Sequence, residues 1–210
     1  MVEAPNNPAD TMLIWSMPED LCLNYANTLS WRGSGRPVEK LHELADILRW
    51  TEHSGVVRLA SFQQLRRWSR HHQAGADELF GQAIAIRETI FRIFSAIAVG
   101  APVASKDFMA LRAALANAPP RHQLTRAGER CGWRVEVGEP SVANVLAPVL
   151  WSAADLMLNA PSRPIRRCAN TECLWLFIDQ SKTSTRRWCD MNSCGNRAKA
   201  RRHYAKIRGR

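Results

Sequence analysis

Cys168, Cys173, Cys189 and Cys194 fall into two pairs, with four residues between the members of each pair and 15 residues (174–188) between the pairs. Two close pairs of thiols joined by a loop suit a single ion approached from two sides, each short turn presenting two sulfurs to a tetrahedral Zn²⁺. Four protein ligands leave no open coordination position, so such an ion would be structural and would not act on a substrate. Two disulfides and an iron–sulfur cluster are the rival uses of the same residues. Trp175, Leu176, Phe177 and Ile178 follow the first pair and Trp188 precedes the second. In so small a module these would form most of the core, with the ion supplying much of the folding free energy.

Charge is distributed unevenly around this cluster. The 210-residue chain has a formal net charge of +10, yet residues 1–162 hold 16 Lys+Arg against 16 Asp+Glu. The whole excess lies in residues 163–210, where 13 Lys+Arg face only Glu172, Asp179 and Asp190. A neutral body with a basic C-terminal quarter is the electrostatic pattern of a polyanion binder. Four thiolates around Zn²⁺ carry a local charge of about −2, so Arg166, Arg167, Arg186, Arg187 and Arg197, beside the ligands, have a second candidate duty in neutralising the site. Asn196 to Arg208 reads as a helix rich in Ala, Lys and Arg, with Arg197, Arg201, Tyr204 and Arg208 on one face and Lys199, Arg202, His203 and Lys206 roughly opposite. It offers no broad apolar stripe. Lys199, Arg201, Arg202 and Lys206 are therefore assigned to phosphates, and Arg186 and Arg187, beyond the polar stretch Gln180–Thr185, to base edges.

The elements that must position these groups are mainly helical. Helical spacing runs through Val38, Leu41, Leu44, Ala45 and Leu48, through Ser61–Arg70 (Phe62, Leu65 and Trp68 inward), and most strongly from about Asp77 to Ala98. Another helix, capped by Ser105 or Asp107, carries Phe108, Leu111, Ala114 and Leu115 up to Pro119-Pro120. A last one covers Val142–Leu158, with a kink expected at Pro148. Gly132–Val137 alternates as a strand, with a partner near Gln123–Arg126. Leu21–Leu29 fits either period, and the first dozen residues read as a loose arm. The expectation is a mainly α fold with a small β element: a body over residues 1–160, a stiff Pro161–Pro164 linker, and a four-cysteine module over 164–210 ending in the basic helix.

Several classes are disfavoured. Met1–Pro8 has neither the basic nor the apolar region of an export signal, and the greasiest stretch, Leu79–Val99, is interrupted by Arg87, Glu88 and Arg92. A cytoplasmic location follows, and a reducing cytosol argues against disulfides. Cys22 and Cys131, isolated among apolar neighbours, read as buried core thiols. His53, Arg58, His71, His72 and His122 form no nucleophile–base pattern, so an enzyme is not expected.

The segment Cys168-x4-Cys173 with Trp175-Leu-Phe-Ile-Asp179, then Arg186-Arg187-Trp188-Cys189-Asp-Met191 and Cys194-Gly195-Asn196-Arg197, resembles the CGNR zinc finger. Leu21-Cys22-Leu23-Asn24-Tyr25-Ala26-Asn27-Thr28-Leu29-x-Trp31-Arg32-Gly33, together with Leu79–Ala98, resembles the ABATE domain that accompanies it. The resemblance implies a stress-induced bacterial transcription regulator, in which the finger binds DNA and the body senses an unidentified small-molecule effector. Asn27, Trp31, Arg32 and Arg87 border apolar segments and are placed near a pocket, ordinary packing and hydrogen bonding being the rival reading. A homodimer is compatible with this layout. A zinc ribbon that binds protein or RNA without promoter specificity is the alternative.

Overall fold

In a computed structural model the protein is described over residues 11–58, 61–160 and 164–208, and the side chains at 127, 202, 205 and 206 lie outside that description. Helix α4 (Gln73–Ala98) is the axis of the body, and Ala76, Leu79, Ala83, Ile90 and Phe94 on it are buried at the three- and four-residue spacing read from the sequence. Around it pack α1 (Leu21–Ala26), α2 (Leu44–His53), α3 (Gln63–His71) and α5 (Ser105–Ala116). A short turn of helix, α6 (Val142–Val145), and α7 (Ala147–Asn159) complete the layer. The fold is mainly helical, with small antiparallel sheets.

The three-stranded sheet has the order β1 (Thr11–Trp15), β5 (Arg130–Glu136), β4 (Gln123–Ala127), with Ile14 opposite Trp133 and Leu124 opposite Trp133 on the other side. The β4–β5 hairpin matches the sequence reading. Strand β1 does not, because it starts within the segment expected to be a loose arm. Met12 and Ile14 bury themselves alternately, which is the half-buried strand signature. Residues 1–10 of the expected arm and 161–163 of the expected linker lie outside the described residues.

Other expectations are corrected by local chemistry. Val38 does not start a helix: Val38–Glu39 form β3, antiparallel to β2 (Leu29–Ser30), and α2 begins only at Leu44. The Glu39 carboxylate turns the chain there by accepting the N–H groups of Lys40 and Leu41 at 2.9 and 3.0 Å. Pro148 sits in the first turn of α7, where its missing N–H costs nothing, so it starts a helix instead of kinking one. Phe108 on α5 is exposed, and Leu111 and Asp107 are the residues buried. Asp107 is no cap, since Arg92 takes its carboxylate at 2.7 Å. Cys22 is buried, and burial pushes its thiol up to about 12; Cys131, opposite Arg126 near the hairpin tip, is exposed.

The C-terminal part opens with the hairpin β6 (Ile165–Arg167) and β7 (Leu176–Ile178). Ile165, Leu176 and Ile178 are buried in the same core as the body helices, and both strands pack on α4. The finger therefore shares the body's core. A turn of π-helix, Met191–Gly195, leads into α8 (Asn196–Arg208), whose bounds coincide with the helix read from the sequence.

Candidate metal centre and nucleic-acid surface

Backbone hydrogen bonds shape the turns that carry the thiols. The Cys168 N–H donates to the Trp175 carbonyl at 2.8 Å, and the Asn170 carbonyl accepts from Cys173 at 2.9 Å and Leu174 at 3.2 Å. Ala169 N–H reaches the Arg187 carbonyl at 2.9 Å, which brings the second limb of the finger against the first. The intervening loop is closed by buried Asp179, which accepts the Ser181 hydroxyl and the Arg186 N–H. The Ser181 hydroxyl, with backbone N–H groups beside it, holds this carboxyl below the ordinary range. Asp190 accepts the Ser193 N–H at 2.7 Å and so caps the π-turn that presents Cys194.

The four Sγ atoms lie within 4.8 Å of one another. Cys173 and Cys189 are 3.7 Å apart, and Cys189 and Cys194 3.8 Å apart. A tetrahedron with Zn–S bonds of about 2.3 Å has sulfur–sulfur edges of about 3.8 Å, so the cluster already has the dimensions of a zinc site and is too open for disulfides. Trp31, Trp175 and Trp188 pack around the sulfurs. The donor set and spacing fit a structural metal ion, zinc being the natural match for four thiolates.

The cations around this centre differ in how fully the finger engages them. Arg186, a candidate base reader, donates Nε to the Trp188 carbonyl at 2.9 Å, donates Nη2 to the Cys189 carbonyl, and lies 4.7 Å over the Phe177 ring. Its guanidinium organises the turn before Cys189. Arg166 donates to the Ser184 carbonyl at 2.8 Å, and Arg197 lies 4.4 Å over the Trp31 ring. Arg187, Lys199 and Arg201 are exposed, and the side chains of Arg202 and Lys206 lie outside the described residues.

The body residues placed near a pocket are held by protein partners. Asn27 donates Nδ2 to the Leu176 carbonyl at 2.8 Å and accepts the Leu176 N–H at 3.1 Å, so one side chain of the body pairs with β7. Trp31 reaches the sulfur cluster with φ at 54°, a left-handed conformation costly for a bulky residue. Gly33 N–H donates to the Glu172 carbonyl at 3.1 Å, and a Cβ at Gly33 would stand 1.9 Å from the Thr171 carbonyl oxygen. Arg32 binds Glu88 at 2.6 Å, donates to the Ala26 carbonyl and covers Phe91. Arg87, 2% exposed, grips both Glu39 oxygens at 2.7 Å and Glu88 at 2.9 Å. These four form a seam between body and finger and the ion-pair lattice behind it.

Neither of two concavities uses them. One, of about 270 Å³, lies on the finger between the Ala169–Thr171 turn, Arg187-Trp188 and α8. The other, of about 140 Å³, lies among Phe62, Leu65, Trp68, Val137 and Pro140, below the about 300 Å³ at which sites for drug-sized ligands begin. Sequence reasoning missed Asn170, Asp179, Glu39 and Glu88. Asp179 had a signal, as one of three acidic residues in a basic segment; Asn170 had none beyond its place after Cys168.

A helical body joined through a shared core to a four-cysteine knuckle with a basic helix has the layout of a zinc-finger protein. Residues 19–160 match the ABATE family, described as "Putative stress-induced transcription regulator", and residues 165–206 match the CGNR zinc finger. The chain belongs to the ABATE family and carries a CGNR finger. No curated protein matches it. No helix among the described residues is long and apolar enough to cross a membrane.

Proposed function

We propose that this protein is a DNA-binding transcription regulator whose finger supplies the DNA surface and whose body carries the signal, a small-molecule effector being the expected input. The observation that carries the reading is α8. It contains no acidic residue, and of its described side chains every one except Ala198 is exposed. A helix so rich in Lys and Arg, with no apolar face to dock, is suited to the phosphate backbone of a duplex. Zinc, held by Cys168, Cys173, Cys189 and Cys194, would fix the direction in which that helix leaves the knuckle. Binding as a homodimer would double the contacts and set a half-site spacing.

The test is selection of bound duplexes from a random pool by zinc-loaded full-length protein, followed by footprinting of the enriched sequence. A recurrent motif protected in the footprint is expected. Failure of the zinc-loaded chain to retain any duplex at moderate salt overturns the reading. In that case the exposed Tyr204 and Ile207 side chains on α8 favour a protein partner.

A further inference from the structure

We propose that the groove between the Ala169–Thr171 turn and the start of α8 seats one phosphate of the DNA backbone, gripped jointly by Arg187 and Arg201. This rests on the DNA-binding reading above and narrows it to a site.

The groove is lined by Ala169, Asn170, Thr171, Arg187, Trp188, Ala198 and Arg201, so two guanidinium groups border it and no carboxylate does. Arg187 differs from its neighbour Arg186. Its backbone is fixed by the Ala169 N–H, its side chain lies 5.5 Å over Trp188, and it has no carboxylate partner among the described residues. Arg201 uses one N–H, on Nη2, to reach Asn170 Oδ1 at 3.0 Å. The remaining donors of its planar fork are left for a phosphate, which guanidinium groups match in shape as well as charge.

Asn170 links this grip to the metal centre. It is 2% exposed, its Nδ2 donates to Cys194 Sγ at 3.5 Å, and its Oδ1 faces both the Glu172 N–H and Arg201. Turning the amide over would set its NH2 against two donors and leave the sulfur facing an oxygen. The sulfur therefore fixes the amide, and the amide fixes Arg201. This is the outer-shell ordering by which a metal site tunes what surrounds it. A zinc ion held by Cys194 and its three partners would thus bear on the groove through Asn170, a positioning residue that is too deeply buried to touch DNA.

The experiment measures dissociation constants of zinc-loaded full-length protein for a short mixed-sequence duplex across a salt series, with zinc content checked for every variant. The logarithmic salt slope changes by about 0.9 for each phosphate neutralised. Because both arginines hold one phosphate, Arg187→Ala, Arg201→Ala and the double variant should each lower the slope by no more than about 0.9. Lys199→Ala should lower it independently. Asn170→Ala, with zinc retained, should weaken binding in wild-type protein but not in the Arg201→Ala background. A double variant that loses about 1.8 means two separate phosphates and overturns the shared seat. Unchanged slopes in all groove variants, with the wild type still binding, overturn the groove and leave the DNA-binding reading standing. A wild type that binds no duplex, or binds only RNA, removes both.

Discussion

A carboxamide has the outline of a peptide unit, and Asn27 uses that likeness to complete the pairing of Leu176, donating to its carbonyl and accepting its N–H. Asn27→Ala would leave both buried groups unpaired, at about 1–3 kcal/mol for each; urea unfolding of the zinc-loaded chain should show a lower midpoint, and Asn27→Asp, which keeps the acceptor but loses the donor, should fall between. Gly33 and Gly81 make a matched pair of opposite sign. At Gly33 a methyl group would collide with backbone at Thr171, while at Gly81, inside α4, it would meet open space. Gly33→Ala should destabilise by about 1–3 kcal/mol, and Gly81→Ala should stabilise by about 1 kcal/mol, both read by denaturant titration. None of this was visible in the sequence. Asn27, Trp31 and Arg32 stood out as polar or amphipathic residues beside apolar ones, but whether such residues line a cavity or meet another segment depends on a contact 149 positions away.

Elements whose stability comes from their own pattern were legible, and those that depend on a distant partner were not. α4, α8 and the β4–β5 hairpin carry strong periodicity or a turn, and they fall close to where the sequence puts them. β1 and β3 exist because β5 and β2 pair with them, and five- or two-residue segments hold no such information alone. The thiol quartet was the most legible feature of all, since ligand type and spacing are read directly from the chain. Within the finger, β6 and β7 belong to the body's core, whereas the second limb and α8 rely on the metal turn. Cys189→Ser should abolish zinc binding and remove hydrogen-exchange protection from residues 180–208. Protection of Ile165–Arg167 and Leu176–Ile178 should survive, and most of the helical signal with it. Loss of protection across β6 and β7 as well would show that the metal holds the hairpin too.

At the scale of the molecule, Arg32, Arg87, Glu39 and Glu88 form a lattice joining α4, β3 and the segment after β2. Burial acts to raise both glutamates, but the hydrogen bonds and charge of Arg87 on Glu39, and of Arg32 and Arg87 on Glu88, outweigh it and leave both below the ordinary range. Depressed carboxylates contribute stability that is fully present above the unfolded value of about 4.3 and lost as pH falls through the folded values. Wild type and Glu88→Gln should therefore differ in urea midpoint at neutral pH, and the gap should close at lower pH; a constant gap would mean that packing, not charge, sets the difference. The shared core carries a second expectation. A fragment of residues 1–160 lacks Ile165, Leu176 and Ile178, so it should unfold at lower urea than the full chain, which should unfold its body and β6–β7 in one transition.

The π-turn ends at Gly195 and α8 begins at Asn196, which sets Cys194, Ala198 and Arg201 four and then three positions apart. That interval makes rotation and reach of the arginine separable. One residue inserted between Cys194 and Arg201 swings the guanidinium about 100° around the helix axis, out of register with the groove, while four return it to nearly the same bearing but about 6 Å farther along. The number of residues between Cys194 and Arg201 thus works as a phase setting, and a single insertion there should take the arginine out of the groove.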